Sequence, residues 1–287
     1  MFPAKFEYYA PTTVNQVVAL LKKHKDAKVL AGGHSLLPTM KLRLAQPSVL
    51  VDIGKVKGLS GIKVAKSGTT IGATTTHAMI AASDAMRQQC PALPEAAALI
   101  GDLQVRNRGT IGGSLSHADP AADYPAVMLA LGAEMKVVGP KGARTIKASD
   151  WFKDLMTTAL KANEVLTEIH IPPHQPHSGC AYVKFPNPAS RFAIVGVCAW
   201  IALDDKGNCA KASIGITGAC ATASHARKTE AALQGKELND ETIAAAAAKA
   251  ADGMDCMSDI HASAEYRAHL VAVMTTRAVT EAVARAK

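Results

Sequence analysis

Apolar residues first recur at helical spacing in Val14, Val17, Val18 and Leu21, behind Thr13-Val14-Asn15-Gln16, which has the form of a capping box. The pattern predicts an amphipathic helix from Thr13 to about Lys25. Lys28-Val29-Leu30-Ala31 then predicts a short buried strand that breaks at Gly32-Gly33, and Val49 to Ile53 a second strand beyond Pro38 and Pro47. The order is strand, glycine turn, short helix, strand. From Gly61 the period changes. Ile62 to Val64 and Thr70 to Gly72, either side of Ser67-Gly68, predict a hairpin, followed by helical stretches near His77–Met86 and Pro94–Gly101. Arg106 to Ser114 holds Gly109, Gly112 and Gly113, too many glycines for a helix, and reads as a loop. A helix opens at Asp119-Pro120 to Asp123 and runs through Ala126–Leu131 to Gly132. Met135–Val138 and Arg144–Ile146 flank a Gly139-Pro140-Lys141-Gly142 turn, and Val165, Thr167, Ile169 and Ile171 alternate along a strand that Pro172-Pro173 stops.

Pro172 to Ser178, with Pro176, His174 and His177 inside it, is the predicted domain boundary. Beyond it, strands at Phe192–Leu203 and Lys211–Gly218 flank a turn, and alanine-rich helices follow at roughly His225–Gln234, Asp240–Ala251 and Ala264–Ala286. The expectation is an α+β chain with a larger N-terminal domain and a smaller one of sheet and helices.

Composition narrows the function classes. The chain has 287 residues, 48% of them hydrophobic, which is enough apolar surface for a real core. Its 32 Lys and Arg against 24 Asp and Glu give +8, but these charges are scattered, and aromatics make up only 4%. Nucleic-acid binding is therefore not expected, because single-strand binders need stacking platforms. The six cysteines form no Cys-x-x-Cys pair and read as reduced, mostly buried thiols. No apolar run approaches the ~20 residues of a membrane span, and Met1 to Ala10 lacks the pattern of a signal peptide. A soluble, cytoplasmic chain is expected.

The candidate chemistry lies in the glycine segments. Gly32-Gly33-His34-Ser35 follows a strand, so its backbone can approach a ligand and present N–H groups to an anion. The spacing is neither Gly-x-Gly-x-x-Gly nor a P-loop, and an ordinary tight turn remains open as the alternative. Thr110-Ile111-Gly112-Gly113 is a second loop of the same character. Two such loops suit a ligand with two phosphates, and a dinucleotide whose pyrophosphate lies between two subdomains is the natural reading.

Ala31-Gly32-Gly33-His34-Ser35 and Thr110-Ile111-Gly112-Gly113, with Gln104 to Gly109 before the latter and Asp119-Pro120-Ala121-Ala122-Asp123 after it, resemble the FAD-binding medium subunit of the molybdenum hydroxylases, the xanthine dehydrogenase and carbon monoxide dehydrogenase family. The resemblance extends from Phe6-Glu7-Tyr8 to Ala264-Glu265-Tyr266-Arg267. It implies an FAD-binding domain of the vanillyl-alcohol-oxidase (PCMH) type over 1–177, with subdomains of about 1–56 and 57–177, and a carbon monoxide dehydrogenase flavoprotein-like α+β domain over 178–287.

Carried over by position, Ala31, Gly32, Gly33, His34, Ser35 and Leu36, together with Thr110, Ile111, Gly112, Gly113 and Ser114, would hold the FAD pyrophosphate, and Leu30 would be a further cofactor-binding residue. Asp123 matches an acidic residue near the ribose or ribityl hydroxyls, Leu166 a strand residue near the flavin, Lys184 a lysine after the inter-domain crossing, Ile100 a position beside the cofactor, and Phe192 a residue close to the isoalloxazine ring. Plainer roles stand beside these: Asp123 as a helix cap, Lys184 as a solvated side chain, Phe192 as core. His34 and His117 are not expected to transfer protons, and no residue is assigned a catalytic role. The resemblance further implies a large partner with the molybdenum cofactor and a small partner with two iron–sulfur clusters, in a dimer of heterotrimers. Electrons would pass from the clusters to FAD and on to an external acceptor. The alternative is a self-sufficient flavin oxidase of the same FAD-binding superfamily, which would need a larger substrate domain and a base of its own.

Overall fold

Thr13 caps the first helix through its hydroxyl, which accepts from Gln16 N–H at 3.3 Å, while Gln16 Oε1 accepts from the N–H of Thr12 at 3.0 Å. The box therefore closes one residue earlier than its sequence form suggests. The computed structural model describes residues 1–287 and begins with β1 (Glu7–Tyr9), α1 (Val14–Lys23), β2 (Lys28–Leu30), α2 (Leu36–Lys41) and β3 (Val49–Asp52). The three strands form a parallel sheet in the order β1-β3-β2. Val17 and Leu21 of α1 pack on Val49, Val51 and Ile53, and the cluster reaches across to Val165. That apolar stripe is what holds a ten-residue helix too short to be stable alone.

The second group comprises β4 (Ile62–Ala65), β5 (Gly68–Gly72), α3 (His77–Ala81), α4 (Asp84–Gln89), α5 (Ala92–Leu99), α6 (Leu103–Arg108), α7 (Ile111–His117), α8 (Tyr124–Ala130), β6 (Glu134–Gly139), β7 (Gly142–Lys147), α9 (Ala148–Trp151), β8 (Phe152–Asp154), β9 (Thr157–Thr158) and β10 (Val165–Ile171). Its main sheet is antiparallel in the order β4-β5-β10-β6-β7. Two expectations change here. The helix expected over His77–Met86 is split into α3 and α4, because the Ser83 hydroxyl accepts from Met86 N–H and starts a new helix. The segment expected to be a loop, Arg106 to Ser114, holds the end of α6 and the start of α7, parted only at Gly109-Thr110. Packing overrides propensity there: a Cβ on Gly112 would lie 2.6 Å from the Ala73 carbonyl oxygen, so only glycine lets α7 lie this close to the chain leaving β5.

The third group is β11 (Ser178–Pro186), β12 (Ala193–Leu203), β13 (Cys209–Thr217), β14 (Ser224–His225), α10 (Arg227–Leu233), α11 (Asp240–Ala247) and α12 (Ala264–Ala286). The strands form an antiparallel sheet in the order β11-β12-β13-β14. Helix α12 covers one face so tightly that a Cβ on Gly179 would fall 2.2 Å from Ala282 O. Helix α8, buried along its whole length, covers the other, where a Cβ on Gly215 would fall 2.1 Å from Ala126 O. Strand β11 carries no alternation in sequence, since Ser178 to Tyr182 are all buried; a strand covered on both faces shows no period of two. No helix is long and apolar enough to cross a membrane.

Candidate functional site

The chain leaves β2 at Leu30 and turns at Gly33, whose φ of +78° lies in the left-handed region that favours glycine. The N–H groups of Ala31, Gly32, Gly33, His34, Ser35 and Leu36 donate to no acceptor within the chain; the first bonds after them are Leu37 N–H to Gly33 O at 3.0 Å and Thr39 N–H to Ser35 O at 3.2 Å. A run of free, half-exposed donors around one turn is a backbone arrangement able to hold an anion. His34 is turned onto its own loop, with Nδ1 3.2 Å from Gly32 O.

The second loop lies directly behind the first and plays a different part. Gly109 N–H donates to Val105 O at 2.7 Å, Ile111 N–H to Thr75 O at 3.0 Å, Gly112 N–H to Ala73 O at 2.8 Å and Ser114 N–H to Thr110 O at 3.0 Å. Gly113 N–H donates to Thr110 Oγ1 at 3.1 Å. Of the N–H groups from Gly109 to Ser114, only that of Thr110 is unengaged. The loops meet backbone on backbone: a Cβ on Gly32 would be 2.2 Å from Arg108 O and 2.8 Å from Gly109 Cα, and one on Gly113 would touch Ala31 Cβ at 3.9 Å. The first loop thus supplies donors and the second a rigid support.

His77, which no sequence pattern marks out, secures that support. Its N–H donates to Gly109 O at 3.0 Å, its ring lies against Gly109, and Nδ1 is 3.0 Å from the Tyr124 hydroxyl. Burial lowers its pKa to about 4, with His34 and Arg106 adding like-charge opposition, so the imidazole is neutral near pH 7.

Next to Tyr124, Asp123 occupies the cap position of α8 without capping it. Its carboxylate instead accepts from Tyr182 Oη at 2.6 Å and meets Lys184 Nζ at 2.8 Å, and Lys184 also donates to Leu99 O at 3.2 Å. The side chains of Lys184 and Asp123 are only 1% and 4% exposed, so neither the helix cap nor the solvated lysine describes them. Burial pushes the Asp123 carboxyl above the usual range, partly opposed by Lys184 and Tyr182. This buried ion pair ties β11 to the start of α8.

The remaining candidates lie at unequal depths. Arg106 Nη1 donates to Ile100 O at 3.0 Å and Gly101 O at 2.9 Å, which fixes the half-buried Ile100 at the end of α5. Arg191 reaches the same Gly101 O at 3.4 Å. Phe192 lies outside β12 rather than starting it and is 45% exposed, so it does not fill core. Leu99 and Leu103 are likewise exposed large apolar side chains. Leu166 is a core side chain, 3% exposed, beside the irregularity in β10 at Thr167.

Residues 4–174 match the family described as FAD binding domain in molybdopterin dehydrogenase, and residues 180–282 match the CO dehydrogenase flavoprotein C-terminal domain. Among curated proteins, the carbon monoxide dehydrogenase medium chain of Hydrogenophaga pseudoflava is 39% identical over 99% of both chains. The 6-hydroxypseudooxynicotine dehydrogenase complex subunit alpha of Paenarthrobacter nicotinovorans is 38% identical over 100% of this chain and 97% of its own. Among solved structures, carbon monoxide dehydrogenase from Hydrogenophaga pseudoflava superposes with a TM-score of 0.95 at 40% identity, and quinoline 2-oxidoreductase from Pseudomonas putida 86 with 0.93 at 34%, each over 99% of both chains.

Proposed function

This chain belongs to the family of FAD-binding medium subunits of the molybdenum hydroxylases, and on that premise we propose that it is the electron-transfer flavoprotein subunit of such an oxidoreductase. It receives electrons from iron–sulfur clusters on a small partner and delivers them to an external acceptor, while a large partner bearing the molybdenum cofactor hydroxylates the substrate. The relatives matched over nearly their whole length are named as subunits and medium chains, which favours this reading over a self-sufficient flavin oxidase. A dimer of heterotrimers in the cytoplasm, and domains of 1–177 and 178–287, complete the proposal.

The observation that carries it is the row of free N–H groups from Ala31 to Leu36, braced from behind by a glycine contact with no space for a side chain. That arrangement fits the pyrophosphate of FAD. When bound, FAD supplies redox chemistry that joins one-electron and two-electron donors and acceptors. The protein's part is to bind and orient it. Ala31 to Leu36 present donors to the phosphate oxygens, with Leu30 at the end of β2 leading into the turn and Gly33 allowing it. Thr110 to Ser114 contribute the Thr110 N–H, the Thr110 and Ser114 hydroxyls and the close approach at Gly112 and Gly113. The Asp123 carboxylate, held between Tyr182 and Lys184, offers an acceptor to sugar or ribityl hydroxyls, and Lys184 places fixed positive charge beside it. Ile100 and Phe192 offer apolar surface to the ring system, and Leu166 its main chain.

The test is the absorption spectrum of the complex purified with its partner subunits. Stoichiometric flavin is expected in the wild type and its loss in Gly33→Val and Gly112→Val. A wild-type complex that assembles and takes up no FAD would overturn the reading.

A further inference from the structure

A second chemical feature lies at the opposite end of α8. Asp123 marks the start of that helix; at its other end Ala130, Leu131 and Gly132 help to line a cavity of about 670 Å³. Its walls also include Cys90 at the corner between α4 and α5, Cys180 near the start of β11, Trp200 of β12 and Arg285 of α12. Cys90 Sγ lies 3.8 Å from Cys180 Sγ. Each cysteine is 4% exposed, so the cavity is the open side from which a small reagent reaches them.

We propose that Cys90 and Cys180 form a peroxide-sensitive dithiol that oxidises to a disulfide joining the α4–α5 corner to β11. The sulfurs have only to close from 3.8 Å to the ~2.05 Å of an S–S bond. The two thiols are not equivalent. The hydrogen bond with Cys90 draws the Cys180 thiol below its ordinary pKa, and the Ala92 N–H in the first turn of α5 acts in the same direction. The same hydrogen bond and burial raise Cys90. In this scheme Cys180, on the cavity wall, attacks the oxidant and Cys90, 3.8 Å away, resolves.

The oxidant is hydrogen peroxide. The Cys180 thiolate attacks one peroxide oxygen, forming S–O and breaking O–O, and the departing hydroxide takes a proton to leave as water. Cys90 then gives up its proton and attacks the Cys180 sulfur, forming S–S and breaking S–O, with the second water leaving. Two thiols are oxidised by two electrons, and one peroxide is reduced to two waters. Cys198, across β11 on β12, is wholly buried and outside the cavity lining, and its thiol is raised by burial. Cys220 and Cys256 are more exposed and stand elsewhere in the third group, where they serve as internal comparison.

The disulfide would close a long loop and fix the strand that also carries Tyr182 and Lys184, the partners of Asp123. The experiment treats the assembled complex with hydrogen peroxide, blocks remaining thiols, digests without reductant and maps the peptides. A Cys90–Cys180 linked peptide is expected, cleaved by dithiothreitol, together with a higher thermal midpoint than the reduced complex. In Cys90→Ala the reaction should stop at a Cys180 sulfenic acid that dimedone traps. Free Cys90 and Cys180 after treatment that oxidises Cys220 or Cys256 would overturn the proposal, as would a link from Cys180 to Cys198. The wild-type map needs no variant, so a misfolded variant does not remove the test.

Discussion

Replacing Gly32 by alanine adds one methyl group against the support for the candidate anion site. The new Cβ would stand 2.2 Å from Arg108 O and 2.8 Å from both the Arg108 carbonyl carbon and Gly109 Cα. These are backbone atoms, fixed by the Gly109 N–H bond to Val105 and the His77 N–H bond to Gly109, and cannot rotate aside. Restoring a contact of 3.4 Å requires the loops to part by 3.4 − 2.2, or about 1.2 Å. An N–H···O bond of ~2.9 Å does not survive that displacement. Losing one or two charge-assisted bonds at ~1.5–3 kcal/mol each removes about 1.5–6 kcal/mol, which is roughly 10- to 20,000-fold in the Kd for FAD. The assay is titration of the flavin-depleted complex with FAD, followed by flavin fluorescence. Gly235→Ala is the control: at φ +74° it carries backbone strain but meets nothing within 4 Å, and it should leave the Kd unchanged. Unaltered affinity in Gly32→Ala, with the fold intact, would refute the argument that loop contact sets the donor positions.

Three further outcomes follow from the same geometry. The folded-state pKa of His77, about 4 against 6.5 unfolded, means that stability present above pH 6.5 is lost as pH falls toward 4; the loss totals about 3 kcal/mol at 1.36 kcal/mol per unit, and urea unfolding should show the pH slope flatten in His77→Gln. Asp123→Asn and Lys184→Met should each cost about 3–5 kcal/mol by stranding a buried charge, with the double variant costing less than the sum; additive losses in denaturant unfolding would show that the pair is not coupled. Gly215→Ala should destabilise the fold by about 2–4 kcal/mol by forcing α8 off β13, and a thermal midpoint equal to wild type would contradict that packing.

The sequence by itself determined the elements whose cause is local. The apolar stripe and the Thr13 cap mark α1, the glycine turn after β2 marks the candidate anion site, and α12 runs from Ala264 to Ala286 as the pattern requires. It also carried the family resemblance, because the two glycine motifs persist as contiguous strings. Tertiary structure decided what depends on residues distant in the chain. Strand β11 is invisible to periodicity because α12 and α5 cover its two faces, and α7 forms despite Gly112 and Gly113 because Ala73 allows nothing larger there. The two loops look alike as strings, yet the partners of their N–H groups make one a set of open donors and the other a brace. Asp123 has the sequence position of a helix cap, but Tyr182 and Lys184 arrive from another sheet and bond its carboxylate first. A hydrogen bond between residues some sixty positions apart is set by packing, and no local pattern encodes it.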